Sequence, residues 1–297
     1  MQTGPGEARR TIFLDFDGTY ADHGIVPDGH VGAVRAARAA GHLVFLCTGR
    51  PRSMIPPDVR AEFDGFVAAA GGYVEIAGNV LIDHRFPPGL AATVVSLLNE
   101  HDVAYVLEAP EALYGPPGVD RHLAALLAGR LPAGDGAEHE GPRDMLEVLR
   151  MSEDLTGISF GKVTCFESSV PIAWLAEQLG PEVGALPSSV PDMGDSAGEL
   201  HLTWVHKAIG IQAVIDHLGV AREQVVAVGD GLNDLEMLEY AGVGIAIEGS
   251  DPRVLAVADQ VAPGPHQEGL VSAFTTLGLV PSTGDGAADP IAGVGGR

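Results

Sequence analysis

Six residues of this chain have types and spacing that suit a single chemistry. Asp15, Asp17 and Gly18 come directly after the apolar run Thr11-Ile12-Phe13-Leu14. Thr48 comes just after Leu43-Val44-Phe45-Leu46, Asp230 follows Gln224 to Val228 and Gly229, and Lys207 opens a helical stretch. Ligands of open parallel α/β sheets bind beyond the carboxyl ends of the strands, so residues placed there would meet at one edge. Three carboxylates that close repel one another, which argues for a bound cation. Hard oxygen ligands point to Mg²⁺, and a cation with few protein ligands leaves room for phosphate oxygens. Asp15 could then act as a nucleophile that forms an aspartyl-phosphate. Asp17 is expected to point from a turn, placed to protonate a leaving alcohol and later to deprotonate water. Gly18 lets backbone N–H groups approach phosphoryl oxygens. The Thr48 hydroxyl and the Lys207 ammonium are suitable fixed donors for the equatorial oxygens.

These residues need elements to position them. The run 11–14 reads as a buried strand, 28–40 as a helix stopped at Gly41, and 43–46 as a second buried strand. A third strand is predicted over 65–68, and 73–76 with 80–82 reads as a hairpin. The same rhythm returns late: a helix over 207–218 closed by Gly219, a strand over 224–228, a helix over 233–240 and a strand over 243–247. Strand, helix, strand, helix implies right-handed crossovers and a doubly wound, Rossmann-like parallel sheet. The middle differs. Helices are predicted over 90–98 and 172–179 and strands over 104–107 and 158–166, a mixture that suggests an inserted α+β domain at 87–195. The parallel-sheet core would then be split into 1–86 and 196–280. The first ten residues are expected to be loose, and the Gly/Pro-rich segment 281–297 has too little apolar surface to fold.

Composition narrows the partners. The 297 residues include 40 acidic and 17 basic side chains, a net charge of −23, and the only lysines are Lys162 and Lys207. Phosphate-backbone binding rests on Lys/Arg counterion release, so nucleic acid is disfavoured, as is an anionic membrane surface. No apolar run is long enough to span a bilayer. Two cysteines make no disulfide framework, and the start lacks the apolar stretch of a secretion signal. The expectation is a soluble cytoplasmic protein. Oligomeric state leaves no readable signal.

With the residues in view, a resemblance emerges. Asp15-Phe16-Asp17-Gly18-Thr19 resembles the first signature of the haloacid dehalogenase-like (HAD) phosphohydrolases, and Leu46-Cys47-Thr48-Gly49-Arg50 resembles the second. Lys207 at its helix start is similar to the third, and Gly229-Asp230-Gly231-Leu232-Asn233-Asp234-Leu235-Glu236-Met237-Leu238 to the fourth in Cof-type members. All four stand in the family's order, and the insert falls where a type IIB cap falls. The resemblance implies that Asp15 is nucleophile and metal ligand and Asp17 is general acid/base and gives the metal its backbone carbonyl. It makes Asp230 a third ligand, and has Asp234 hold a metal-bound water or Lys207. Thr48, Gly49, Lys207 and Asn233 would grip the phosphoryl group. An Asp at position 17 marks phosphatases and mutases rather than dehalogenases. Two positions depart from the family's wording: Ala70-Gly71-Gly72 where Asn-Gly is common, and Tyr20 where a smaller residue is commoner.

Each motif alone has a plainer reading. Asp-x-Asp after a strand is usually a turn or cap, and Thr48-Gly49 is an ordinary strand-end turn. Lys207 alone would be a solvated lysine, although the helix dipole prefers anions at that end. Together they imply a Mg²⁺-dependent phosphatase of a small phosphorylated metabolite, such as a sugar phosphate. A phosphomutase of the same fold and an inactive phosphometabolite-binding module are the alternatives. Arg50 is expected either to help hold substrate or to pair at the surface, and Lys162 sits on a strand of the insert with its direction open.

Overall fold

The computed structural model describes residues 9–22, 24–128, 145–188 and 193–280. The expectations for 1–8 and 281–297 lie outside the described residues. Two sheets organise the chain. The first contains β1 (Thr11–Leu14), β2 (Leu43–Cys47), β3 (Gly65–Ala68), β4 (Tyr73–Ile76), β5 (Asn79–Asp83), β12 (Val225–Gly229), β13 (Val243–Ile247) and β14 (Gln260–Ala262), in the order β14-β13-β12-β1-β2-β3-β4-β5. The six strands from β14 to β3 run parallel, and the hairpin β4–β5 closes that edge antiparallel. This is the expected α/β parallel-sheet core.

The continuous apolar runs of β1 and β2 follow from burial on both faces. Ile12, Leu14, Val44 and Leu46 pack on one side with the helices Asp28–Ala39 and Gly269–Thr276. Phe13 and Phe45, stacked with ring centroids 5.2 Å apart, pack on the other with the helix Lys207–Leu218. Register sets the functional edge. Leu14 stands beside both Leu46 and Val228, so Asp15, Thr48 and Asp230 leave the sheet at the same end.

The second sheet orders β10 (Val183–Pro187), β11 (Gly198–Leu202), β9 (Lys162–Glu167), β6 (Ala104–Glu108), β7 (Leu113–Gly115) and β8 (Leu149–Met151) as β10-β11-β9-β6-β7-β8. One face is apolar: Tyr105, Leu107, Val163, Cys165, Leu200 and Leu202 pack under the helices Pro88–Glu100 and Ile172–Leu179. Strand alternation sends Glu108, Lys162, Thr164, Glu199 and His201 to the opposite face.

Three local differences from the sequence reading have physical causes. β11 pairs with β9 and β10, so the second sheet extends through Leu202, past the boundary placed at 195. The strand expected from Ile158 begins at Lys162, because Phe160 and Gly161 instead bond to Phe86 and to the Glu108 carbonyl in the crossing between the sheets. The helix expected from Asn233 starts at Leu235, after a 3₁₀ turn over Leu232–Asp234 in which Asp234 turns its side chain back on the preceding backbone.

Candidate active site

The end of β1 delivers Asp15, whose N–H still bonds to the Val228 carbonyl at 2.9 Å, so strand pairing fixes its backbone. Lys207 is the first residue of its helix and fully buried. Its ammonium donates to Asp15 Oδ1 at 2.5 Å and to Asp234 Oδ1. Gly71, at φ +103°, presses the loop after β3 against this helix start, where a Cβ would lie 2.1 Å from the His206 carbonyl oxygen. Ala69 and Ala70 in the same loop also have positive φ, a conformation that asparagine accepts more readily than alanine. That is the backbone setting of the Ala70-Gly71 departure.

Asp230 follows β12 and accepts from the Thr19 hydroxyl at 2.7 Å. Gly18, at φ +87°, passes so close that a Cβ there would lie 2.4 Å from Asp230 Oδ2. Asp15, Asp230 and Asp234 each place a carboxylate oxygen within 4.8 Å of the others. Asp234 differs from the other two. Its Oδ1 is taken by Lys207 and its Oδ2 by the N–H groups of Asp230 and Gly231 at 3.0 and 2.8 Å. Of the two roles the resemblance implies for Asp234, these bonds match the holding of Lys207. Gly49 and Asn233 face each other, since a Cβ on Gly49 would sit 3.1 Å from Asn233 Nδ2.

Asp17 is the residue the geometry places differently. Its side chain is 54 % exposed and stands outside the three-carboxylate cluster. Arg50 grips it bidentately, Nε and Nη2 donating at 2.8 and 2.7 Å. Arg50, only 10 % exposed, also lies over the Phe16 ring at 4.5 Å. A planar fork on a carboxylate is a directional contact, so Asp17 is a geometrically fixed partner of Arg50. Thr48 is buried, and its Oγ accepts from the Arg50 N–H at 3.1 Å. Sequence reasoning overlooked Thr19, whose position two residues after Asp17 was the available signal. Lys162, whose direction was open, reaches the Gly49 carbonyl at 3.0 Å.

The electrostatics follow from three carboxylates facing one ammonium. Burial, added to by Asp234 and Asp230, raises Asp15 well above the usual carboxylate range although Lys207 opposes the shift. Burial and then the Asp234 charge raise Asp230 to about 6. Burial works against the Lys207 charge, but Asp15 and Asp234 outweigh it and hold the ammonium above the ordinary lysine range. An excess of buried negative charge on hard oxygen donors suits a divalent cation at Asp15 and Asp230. Such a cation supplies charge neutralisation for an incoming phosphate.

Comparison with known proteins identifies the family and the fold. The family model for haloacid dehalogenase-like hydrolases matches residues 12–274. YkrA of Bacillus subtilis, whose assigned name is that of a phosphatase, is 26 % identical over 277 residues, covering 91 % of this chain and 98 % of its own length. A Streptococcus pyogenes protein named for phosphatase and peptidyl-prolyl cis-trans isomerase functions is 28 % identical over 282 residues; the chain spans 54 % of that protein's length. Among solved structures, a HAD subclass IIB sugar phosphatase superposes with a TM-score of 0.72 at 20 % identity, over 91 % of this chain and all of the other. A Geobacillus kaustophilus protein gives 0.75 at 24 % identity, over 92 % of this chain and 100 % of that one. The chain belongs to the haloacid dehalogenase-like hydrolases.

Proposed function

We propose that the protein is a Mg²⁺-dependent phosphatase that hydrolyses a small phosphorylated metabolite, a sugar phosphate or a similar ester, through an aspartyl-phosphate intermediate. The observation that carries this reading is the buried Lys207 ammonium lying between Asp15 and Asp234 with Asp230 alongside, an arrangement whose surplus negative charge suits a divalent cation.

In this reading Asp15 Oδ attacks phosphorus while Lys207 and Thr48 hold the equatorial oxygens as negative charge shifts toward them. The aspartyl-phosphate is then hydrolysed by water. Asp17 gives a proton to the leaving oxygen in the first step and takes one from water in the second. That role requires Asp17 to swing from Arg50 toward Asp15, a side-chain rotation open to a half-exposed carboxylate. Gly18 and Gly49 keep backbone close to the phosphoryl position, with Asn233 beside them. The carboxylates of Asp15 and Asp230 and the Asp17 backbone carbonyl would hold the cation, and Asp234 would support the site through its grip on Lys207. The segment from 87 through Leu202 serves as a cap over a core formed by the rest. The cleft between the two sheets is lined by, among others, His201, His206, Asn233 and Glu236, side chains suited to hydroxyl-bearing leaving groups. Among the described residues no helix is long and apolar enough to cross a membrane.

The test is phosphate release from an aryl phosphate and a panel of phosphorylated metabolites, with Mg²⁺ and with chelator. Release that needs Mg²⁺ and disappears in Asp15→Asn is expected. Isomerised ester in place of free phosphate would make the enzyme a mutase, and tight binding with no turnover a binding module.

A further inference from the structure

The second lysine of the chain is as deeply placed as the first. Lys162 starts β9 on the polar face of the second sheet, and its side chain is 5 % exposed. Its ammonium is held within that sheet by Glu199 Oε1 at 2.8 Å and Glu108 Oε2 at 3.4 Å. Glu108 is buried too, and the Thr164 hydroxyl donates to its other oxygen at 2.5 Å. Register explains the cluster: Glu108 is the partner of Lys162 on β6, His201 its partner on β11, and Glu199 stands diagonally.

A buried ammonium is costly, and an apolar side chain would fill the same space without that cost. What an apolar residue could not do is leave its own sheet and donate to a carbonyl. Lys162 Nζ does so to Gly49, 113 positions earlier in sequence. That carbonyl lies in the middle of a three-residue loop whose other members face the reacting groups. Thr48 Oγ is bonded by the Arg50 N–H, and the Arg50 guanidinium grips Asp17. One contact from the second sheet therefore bears on the loop that carries Thr48, the hydroxyl that holds a phosphoryl oxygen.

We propose that Lys162 is a positioning residue: its ammonium, oriented by Glu108 and Glu199, fastens the Gly49 carbonyl and so sets the neighbouring Thr48 for phosphoryl transfer. Lys162 acts through the loop and does not read the leaving group. When the second sheet moves off the first, the loop loses this anchor, which ties turnover to closure. The inference rests on the role given above to Thr48.

The experiment compares Lys162→Met, Lys162→Arg and Glu199→Gln with the full-length wild type. It combines steady-state kinetics on a panel of phosphomonoesters, thermal melting, and amide hydrogen exchange over 48–54. Misplacement of reacting groups by an ångström costs on the order of 100-fold in rate. Lys162→Met should lower kcat by about 10- to 100-fold, by one factor across all esters and with KM little changed, and should speed exchange at 48–50. Lys162→Arg should restore part of the loss, and Glu199→Gln should give a smaller fall in the same direction. A KM rise confined to certain esters would make Lys162 a leaving-group contact and overturn the proposal. So would a lowered melting temperature with unaltered kcat and exchange. If Lys162→Met does not fold, an unchanged kcat in Glu199→Gln overturns it. Activity retained in Asp15→Asn would refute the functional reading itself, whatever Lys162 does.

Discussion

Asp230→Asn should make the metal-free protein more stable, and only above about pH 4. Burial and the neighbouring Asp234 charge raise the Asp230 pKa from 3.8 to about 6. At ~1.36 kcal/mol per pKa unit, a rise of roughly two units places an upper limit of about 3 kcal/mol on the cost of ionising Asp230 in the fold. The carboxyl binds its proton more tightly folded than unfolded. The penalty is therefore absent below pH 3.8, grows as pH rises toward about 6, and is complete above that. Asparagine removes the charge but can still accept from the Thr19 hydroxyl. In chains of this size ~1 kcal/mol moves Tm by about 2–4 °C, so a gain at pH 7.5 of up to about 6–12 °C is expected. Thermal melts in chelator across pH 4 to 8 measure it: the difference between variant and wild type cancels acids remote from the site, while Asp15, whose pKa the Asp230 charge helps to raise, is relieved in the same stabilising direction. Added Mg²⁺ should reverse the order, because only the wild type keeps the full carboxylate set and gains stability by ligand linkage. A variant less stable than wild type at pH 7.5 in chelator, or a gap that does not change with pH, would refute the electrostatic reasoning.

Three further outcomes follow from the same geometry. Gly18→Ala forces a Cβ to within 2.4 Å of Asp230 at a left-handed φ, so thermal stabilisation by Mg²⁺ and phosphate release should both collapse. Calorimetry of metal binding checks this. Gly71→Ala drives a Cβ into the His206 carbonyl at φ +103°, and should lower Tm by several degrees while displacing Lys207; urea unfolding and kcat measured together on the folded variant would reveal both effects. With a net charge of −23, encounter with an anionic ester is opposed at low salt. At saturating Mg²⁺, kcat/KM should therefore rise with ionic strength as repulsion is screened, and a fall would count against the steering argument.

Much of the core was legible because parallel strands buried on both faces write themselves as short apolar runs, and the residue after each run must fall on one edge. Asp15, Thr48 and Asp230 were placed that way, and Lys207 by its helix start. What was not legible depends on how separate elements dock. The bidentate hold of Arg50 on Asp17 is a choice of side-chain rotamer, which strand pattern does not encode. The reach of Lys162 to Gly49 exists only once the second sheet lies against the first. β11 follows the predicted boundary in sequence yet joins the second sheet, since pairing with β9 and β10 is decided by partners far away in the chain. The short 3₁₀ turn at Leu232–Asp234 was hidden in a helix-like pattern, because the Asp234 side chain competes locally for the Asp230 and Gly231 N–H groups.

The central claim is that Asp15 carries the phosphoryl group between substrate and water. Rapid acid quench during turnover with Mg²⁺, followed by mass spectrometry of the peptides, tests it most directly, because acid preserves an acyl phosphate. The account predicts a phosphorylated species that appears before free phosphate accumulates, maps to Asp15, and is absent from Asp15→Asn. Steady turnover with no phosphorylated enzyme under rapid quench, or a phosphoryl group on another residue, would contradict it.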